Sequence, residues 1–210
     1  MKVLMFNGSP NKNGNTAVAL AEMEKIFEAE GFEYETIMIG DKTIRGCIGC
    51  GSCHMDHKCV TDDIVNECLP KFEAADAVVI ASPVYYASAN GTLISFLDRL
   101  FFASGFDKTG KVGASVCVAR RGGLSATFDE LNKYFTISSM PVASSRYWNS
   151  VHGQLPGEAA SDAEGLATIR TLAKNIVFLC RSIELGKEKY GLPEKEPFAI
   201  TNFVRKDLTD

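Results

Sequence analysis

Apolar and polar positions along the chain alternate between two rhythms. Short apolar or strictly alternating runs at 2–7, 32–39, 77–81, 111–118 and 140–147 have the length and composition of strands. Between them, apolar residues recur every three or four positions, which predicts helices over 16–29, 62–72, 91–103, 125–135 and 161–185. Ala19, Met23, Ile26 and Phe27 share one face of the first helix, and Leu93, Phe96, Leu97 and Leu100 one face of the third. Leu166, Ile169, Leu172, Ala173, Ile176 and Leu179 do the same along the last. Gly31 stops the first helix, and Thr61 or Asp62 is the expected N-cap of the second. The near-unbroken run Ala77-Val78-Val79-Ile80-Ala81 suits a strand covered on both faces. Strand and helix in regular alternation define an α/β protein: a doubly wound, mostly parallel sheet with helices on both sides.

In such a sheet ligands sit beyond the C-terminal ends of the strands, where the strand order reverses. The segments that follow the first, third and fourth strands are therefore the ones to search for chemistry. Composition narrows the search further. With 22 basic against 26 acidic residues in 210, the chain lacks the clustered basic excess that nucleic acid requires. Its apolar runs are too short for a membrane span. Met1-Lys2 leads straight into the first strand, so a cytoplasmic protein is expected.

The first strand runs into Gly8-Ser9-Pro10-Asn11-Lys12-Asn13-Gly14-Asn15-Thr16 and then into a helix. Ser9, Asn11, Asn13, Asn15 and Thr16 offer hydrogen-bond donors, and the start of a helix adds free N–H groups and partial positive charge. A Walker loop would need Gly-Lys-Ser/Thr, and a dinucleotide loop the G-x-G-x-x-G spacing; both are missing. What remains suits a single phosphate monoester, such as that of flavin mononucleotide (FMN), or a plain turn that caps a helix. After the third strand, Pro83, Val84, Tyr85 and Tyr86 provide the apolar and aromatic wall that a flavin ring needs. After the fourth, Arg121, Gly122 and Gly123 combine a cation with exposed backbone N–H groups, which could serve a reduced flavin or a nicotinamide-cofactor phosphate. Trp148, the single tryptophan, is a candidate cover for the ring, and His152 a candidate proton donor.

Seven cysteines divide into two groups. Cys68, Cys117 and Cys180 are scattered in apolar surroundings and read as small core residues. Cys47, Cys50, Cys53 and Cys59 form C-x2-C-x2-C-x5-C, interleaved with Gly46, Gly49 and Gly51. That compact spacing suits a [4Fe–4S] cluster. Zinc, with His54 and His57 nearby, and a thiol/disulfide pair are the other chemistries open to it.

Taken together, these segments resemble the flavodoxin-like NADPH-dependent FMN reductase family, and within it the iron–sulfur flavoproteins. Gly8-Ser9-Pro10 with Gly14-Asn15-Thr16 is similar to the family's phosphate loop. The run from Cys47 to Cys59, followed by Asp62-Asp63, is similar to its cysteine insertion. Ser82-Pro83-Val84-Tyr85-Tyr86 and Phe96-Leu97-Asp98-Arg99 resemble the segments that hold the flavin ring. Ile94 departs from the pattern, standing where many relatives carry a basic residue. The resemblance implies a five-stranded parallel sheet of order 2-1-3-4-5, an FMN-binding domain over 1–186 with a cysteine-rich insertion at 40–61, and a tail over 187–210 that serves as an oligomer arm or a loose terminus. It also implies non-covalent FMN, NAD(P)H as electron donor, a homodimer or homotetramer with flavins near the interfaces, and a cluster on the four cysteines. The implied activity is electron transfer from a reduced donor through FMN to an acceptor. A flavodoxin-type carrier without NAD(P)H activity, and a redox- or metal-sensing module built on the cysteine loop, are the alternatives.

Overall fold

A computed structural model describes residues 1–197. The elements follow in the order β1 (Lys2–Asn7), α1 (Asn15–Ala29), β2 (Glu33–Met38), α2 (Cys53–Asp56), α3 (Ile64–Ala74), β3 (Ala77–Tyr85) and β4 (Ser88–Ala89). They continue with α4 (Gly91–Ala103), β5 (Val112–Ala119), α5 (Leu124–Thr136), β6 (Ser150–His152), a 3-10 turn (Glu158–Ser161) and α6 (Ala163–Tyr190). The main sheet is parallel in the order β2-β1-β3-β5-β6, and β4 is a short antiparallel return on β3. With that return set aside, the order is the flavodoxin-like 2-1-3-4-5.

Side-chain alternation along the strands builds two cores, one on each face of the sheet. From β1, Val3 and Met5 join α1 and α6 on one face, while Leu4 and Phe6 join α3, α4 and α5 on the other. Cys68, Cys117 and Cys180 are buried in these cores, and burial pushes each thiol up to about 12. They are inert packing residues, as their surroundings in the sequence suggest.

Three expectations need correction. The N-cap of α3 is Asp63, one residue beyond Asp62, and its carboxylate accepts the N–H of Val65 at 3.1 Å. The last helix runs over Ala163–Tyr190 instead of 161–185, and the part of the expected tail beyond 197 lies outside the described residues. Most consequentially, 140–147 is not a strand. It touches β5 only through the bridge between Gly113 and Val142, and the fifth parallel strand is Ser150–His152. Pro141 has no N–H to give a ladder, and the chain leaves the sheet after Ala143. Asn149 spans the gap: its Nδ2 donates to the Ser115 carbonyl at 3.0 Å and its carbonyl accepts from the Cys117 N–H at 2.9 Å.

Candidate functional site

The loop after β1 is braced from within. Buried Asn7 accepts the N–H of Ser9 on its Oδ1 at 2.9 Å, Ser9 Oγ accepts the N–H of Asn11 at 3.1 Å, and Asn11 Oδ1 accepts the N–H of Asn13 at 3.1 Å. Gly8 has no room for a side chain, since a Cβ there would lie 2.6 Å from Leu93 Cδ2. Gly40, just past β2, is tighter still: its Cβ would lie 2.2 Å from the Gly8 carbonyl oxygen. The loop thus rests on the exit of β2. Its outer rim is the start of α1, where Gly14 provides no side-chain cap. The first N–H groups of that helix have no intrahelical acceptor. Thr16 is buried beside them, and its hydroxyl makes no hydrogen bond among the described residues. This donor set, free of carboxylates in the first turn, fits a phosphate monoester.

The exit of β3 completes the same cavity, of about 270 Å³. Ser9, Asn11, Asn15 and Thr16 line it from one side and Pro83, Val84 and Tyr85 from the other. It lies at the C-terminal edge of the sheet between β1 and β3, where the strand order reverses. Asn15 is partly committed, because its Oδ1 accepts the N–H of Ala159 at 3.0 Å. Asn13 does not line the cavity and is exposed. Tyr86 is fully exposed at the tip of the β3–β4 hairpin.

Arg121, Gly122 and Gly123 line a neighbouring cavity of about 300 Å³, together with Trp148 and His152. Arg120, the residue before them, lines the first. The two cavities meet at the hairpin, where a Cβ on Gly123 (φ +86°) would lie 2.8 Å from Ala87 Cα and 3.0 Å from Val84 Cγ1. Tyr86 and Ala87 form its two-residue turn, both with positive φ (52° and 58°). This is the backbone of a type I′ turn, ordinarily built from Asn and Gly. Glu130 of α5 holds it from behind, accepting from Ser88 Oγ at 2.9 Å and from the Ala89 N–H at 2.8 Å. His152 is half exposed, and its N–H donates to Asp162 at 2.7 Å, so it serves the junction of β6 and α6. Gly153, Gln154 and Pro156 also line the first cavity. The signal that would have found them is their place just after a strand, which was hidden by assigning that strand to 140–147.

The four clustered cysteines line a separate pocket of about 160 Å³ against α4, with His54, Arg99 and Phe102. Positive φ at Gly49 and Gly51 gives the tight turns between them. Burial pushes the Cys53 thiol up, and the other three sulfurs add to the shift, so the group is near enough to interact electrostatically. Among the described residues no three Cys, His, Asp or Glu side chains converge as ligands of a single ion. His57 packs away from the pocket, against Gly105, so it does not join His54 near the sulfurs. Four thiols around a shared hollow, not drawn to one point, fit a multi-iron centre better than zinc, because each would bind a different iron.

Arg99 does not reach the cavity at the β3 exit, although its sequence segment resembles one that holds a flavin ring. It is buried against the cysteine loop and pairs with Asp63 through two bonds, of 2.7 and 2.9 Å. Asp98 instead accepts the Tyr134 hydroxyl at 2.6 Å.

A parallel sheet of this order with a phosphate-sized cradle at its switch point defines a flavodoxin-like flavoprotein. Solved structures agree at the level of fold. The chain superposes over its full length on 94% of RosB, crystallised with an 8-demethyl-8-formylriboflavin-5′-phosphate intermediate, with a TM-score of 0.68 at 16% identity. It also superposes on an archaeal flavodoxin with a TM-score of 0.56 at 14% identity, over 88% of this chain and 99% of the other. In sequence, residues 1–154 match the NADPH-dependent FMN reductase family. An iron–sulfur flavoprotein of Methanocaldococcus jannaschii is 34% identical over 88% of this chain and 100% of its own length. One from Methanosarcina thermophila is 29% identical over 90% of this chain and 100% of its own. The chain belongs to the NADPH-dependent FMN reductase family and, within it, to the iron–sulfur flavoproteins, which makes it a flavin-dependent oxidoreductase. Among the described residues no helix is long and apolar enough to cross a membrane.

Proposed function

We propose that the chain is a cytoplasmic oxidoreductase that binds FMN non-covalently in the cavity between β1 and β3, carries a [4Fe–4S] cluster on Cys47, Cys50, Cys53 and Cys59, and passes electrons from NAD(P)H or another reduced donor to an acceptor. The observation that carries this reading is the single cavity in which an uncapped helix start and Thr16 face the Pro83–Tyr85 wall. A flavin bound there would supply the redox chemistry, and a cluster held by the four cysteines would let an electron pair pass on as single electrons.

The chain's own residues bind and orient. Ser9, Asn11, Asn15 and Thr16, with the first N–H groups of α1, hold the phosphate; Asn13 supports the loop through its backbone. Pro83, Val84 and Tyr85 would flank the ring, and Arg120, which lines the same cavity, would offer it positive charge. Gly123 lets the next loop lie against the hairpin without a side chain between them, Gly122 beside it stands in open space at the neighbouring cavity, and Arg121 faces that cavity, where a donor or acceptor would approach. Tyr86, Tyr147 and Trp148 stand exposed around these cavities and favour cover by a second copy of the chain, as a homodimer or homotetramer.

The test is an anaerobic titration of apoprotein with FMN, followed by rapid mixing with NADPH or NADH. Micromolar or tighter binding and bleaching of the flavin absorbance are expected. A chain that binds FMN but is bleached only by a reduced electron-transfer protein is a carrier. One that refuses FMN refutes the assignment of the cavity.

A further inference from the structure

We propose that Arg99 is a positioning residue of the cysteine pocket: it holds Cys59 in place as a preformed ligand and raises the reduction potential of the centre bound there. The inference rests on the reading of the four cysteines as cluster ligands.

Arg99 stands on α4 with its side chain 2% exposed, and every one of its five N–H groups has an acceptor. Nε donates to Cys59 Sγ at 3.2 Å. Nη1 donates to Asp63 Oδ2 at 2.7 Å and to the Arg45 carbonyl at 3.2 Å. Nη2 donates to Asp63 Oδ1 at 2.9 Å and to the Thr61 carbonyl at 3.0 Å. Arg45 precedes the first clustered cysteine and Thr61 follows the last, so one guanidinium ties both stems of the insertion to α4. Only a planar fork reaches this many acceptors from one position; a lysine ammonium cannot.

Cys59 differs from the other three cysteines in how firmly it is held. Its N–H donates to Asn66 Oδ1 at 2.9 Å and its carbonyl accepts from Asn66 Nδ2 at 3.0 Å, so backbone and sulfur are both fixed. Cys47 and Cys50 are exposed on the glycine-rich part of the loop. The pocket is therefore built around one thiol held at both backbone and sulfur, with Cys53 at the start of α2 and Cys47 and Cys50 on the exposed glycine-rich turns.

Asp63 balances the charge of the guanidinium, but the N–H···S bond draws electron density from the Cys59 sulfur and favours the more negative, reduced state of a thiolate-ligated iron centre; hydrogen bonds to the sulfurs are among the levers that set cluster potentials. A staple that only ties the loop would stabilise the fold without moving the potential. The two roles separate experimentally.

The experiment uses the full chain, loaded anaerobically with FMN, iron and sulfide, as wild type, Arg99→Lys and the double variant Arg99→Gln/Asp63→Asn. The double variant removes both charges together, so no buried carboxylate is orphaned, and asparagine still caps α3. Iron and FMN content and far-UV circular dichroism establish that each protein is folded and loaded; the cluster is then titrated by electron paramagnetic resonance. The expected result is a lower cluster potential in both variants. In the double variant the ratio of reduced to oxidised cluster at fixed potential falls about tenfold, equivalent to ~59 mV for one electron. Arg99→Lys, which keeps the charge but loses the fork, shifts less. Loaded variants with the wild-type potential overturn this proposal alone. A folded, FMN-loaded wild type that takes up no cluster overturns the reading of the pocket, and this proposal with it.

Discussion

Single atoms decide much at the loop after β1. Gly40 has no contact to lose, yet a methyl group there would sit 2.2 Å from the Gly8 carbonyl oxygen and 2.3 Å from the Ser9 carbonyl carbon. Both obstacles are backbone and cannot rotate aside. Gly40→Ala should cost about 1–3 kcal/mol, a fall of several degrees in thermal midpoint, and should weaken FMN binding because the loop must shift; calorimetry and flavin titration check both. Thr16→Val keeps the shape and removes one hydroxyl. A hydrogen bond to a charged group contributes roughly 1.5–3 kcal/mol, so FMN affinity should fall about tenfold or more while apoprotein stability stays put. Asp162 caps α6 at its junction with β6. Burial favours its neutral form, but the N–H groups of Gly165 and His152 outweigh that and hold the carboxyl below its ordinary 3.8. The unfolded chain then binds this proton more tightly than the folded one. The stability it provides is present at neutral pH and is lost as pH falls below about 4. Asp162→Asn should lower stability at pH 7 and flatten the acid limb of a urea-unfolding series.

At the scale of elements, the β3–β4 hairpin carries the clearest strain. Two L-residues occupy left-handed backbone at Tyr86 and Ala87, which costs roughly 1–2 kcal/mol each. Ala87→Gly should relieve part of this and raise stability by about 0.5–1 kcal/mol after the entropy cost of glycine, measurable as a higher thermal midpoint. This feature shows what could not be read from sequence. Tyr-Ala carries no turn signal, and only the Glu130 brace and the close approach of Gly123 account for the geometry. By contrast, α1, α4 and β1 were legible to within a residue, because their apolar spacing matches one periodicity and their ends carry glycine or asparagine. The last strand escapes its pattern because Met140-Pro141-Val142-Ala143 has strand composition, while the true strand is only three residues long, pairing with β5 over Cys117–Ala119 and entered through Asn149, whose side chain holds the Ser115 carbonyl. Residue type and position after β1 were enough to pick out Ser9, Asn11, Asn15 and Thr16, which the fold gathers along one cavity. Gln154 and Pro156 were missed with the strand before them, and the partners of Arg99 depend on a fold of the insertion that no local pattern encodes.

For the molecule as a whole, two chemistries rest on separate supports. The cavity between β1 and β3 belongs to the sheet edge, whereas the cysteine pocket lies against α4 and adds little to either core. Replacing Cys47, Cys50 and Cys53 together by serine should abolish iron binding but leave apoprotein stability within about 0.5 kcal/mol of wild type, with FMN affinity unchanged. A loss of folding in that variant would show that the thiol segment is part of the core.

The two stems of that segment converge on one guanidinium, at the Arg45 and Thr61 carbonyls. What lies between them hangs from a fixed clasp, so its closure entropy rises only slowly with added residues. Extra residues between Cys53 and Cys59 should therefore be tolerated by the host sheet, and the clasp is the natural graft point for a different metal-binding ribbon, provided the arginine on the fourth helix, the aspartate opposite and the Asn66 bonds to the second stem are kept.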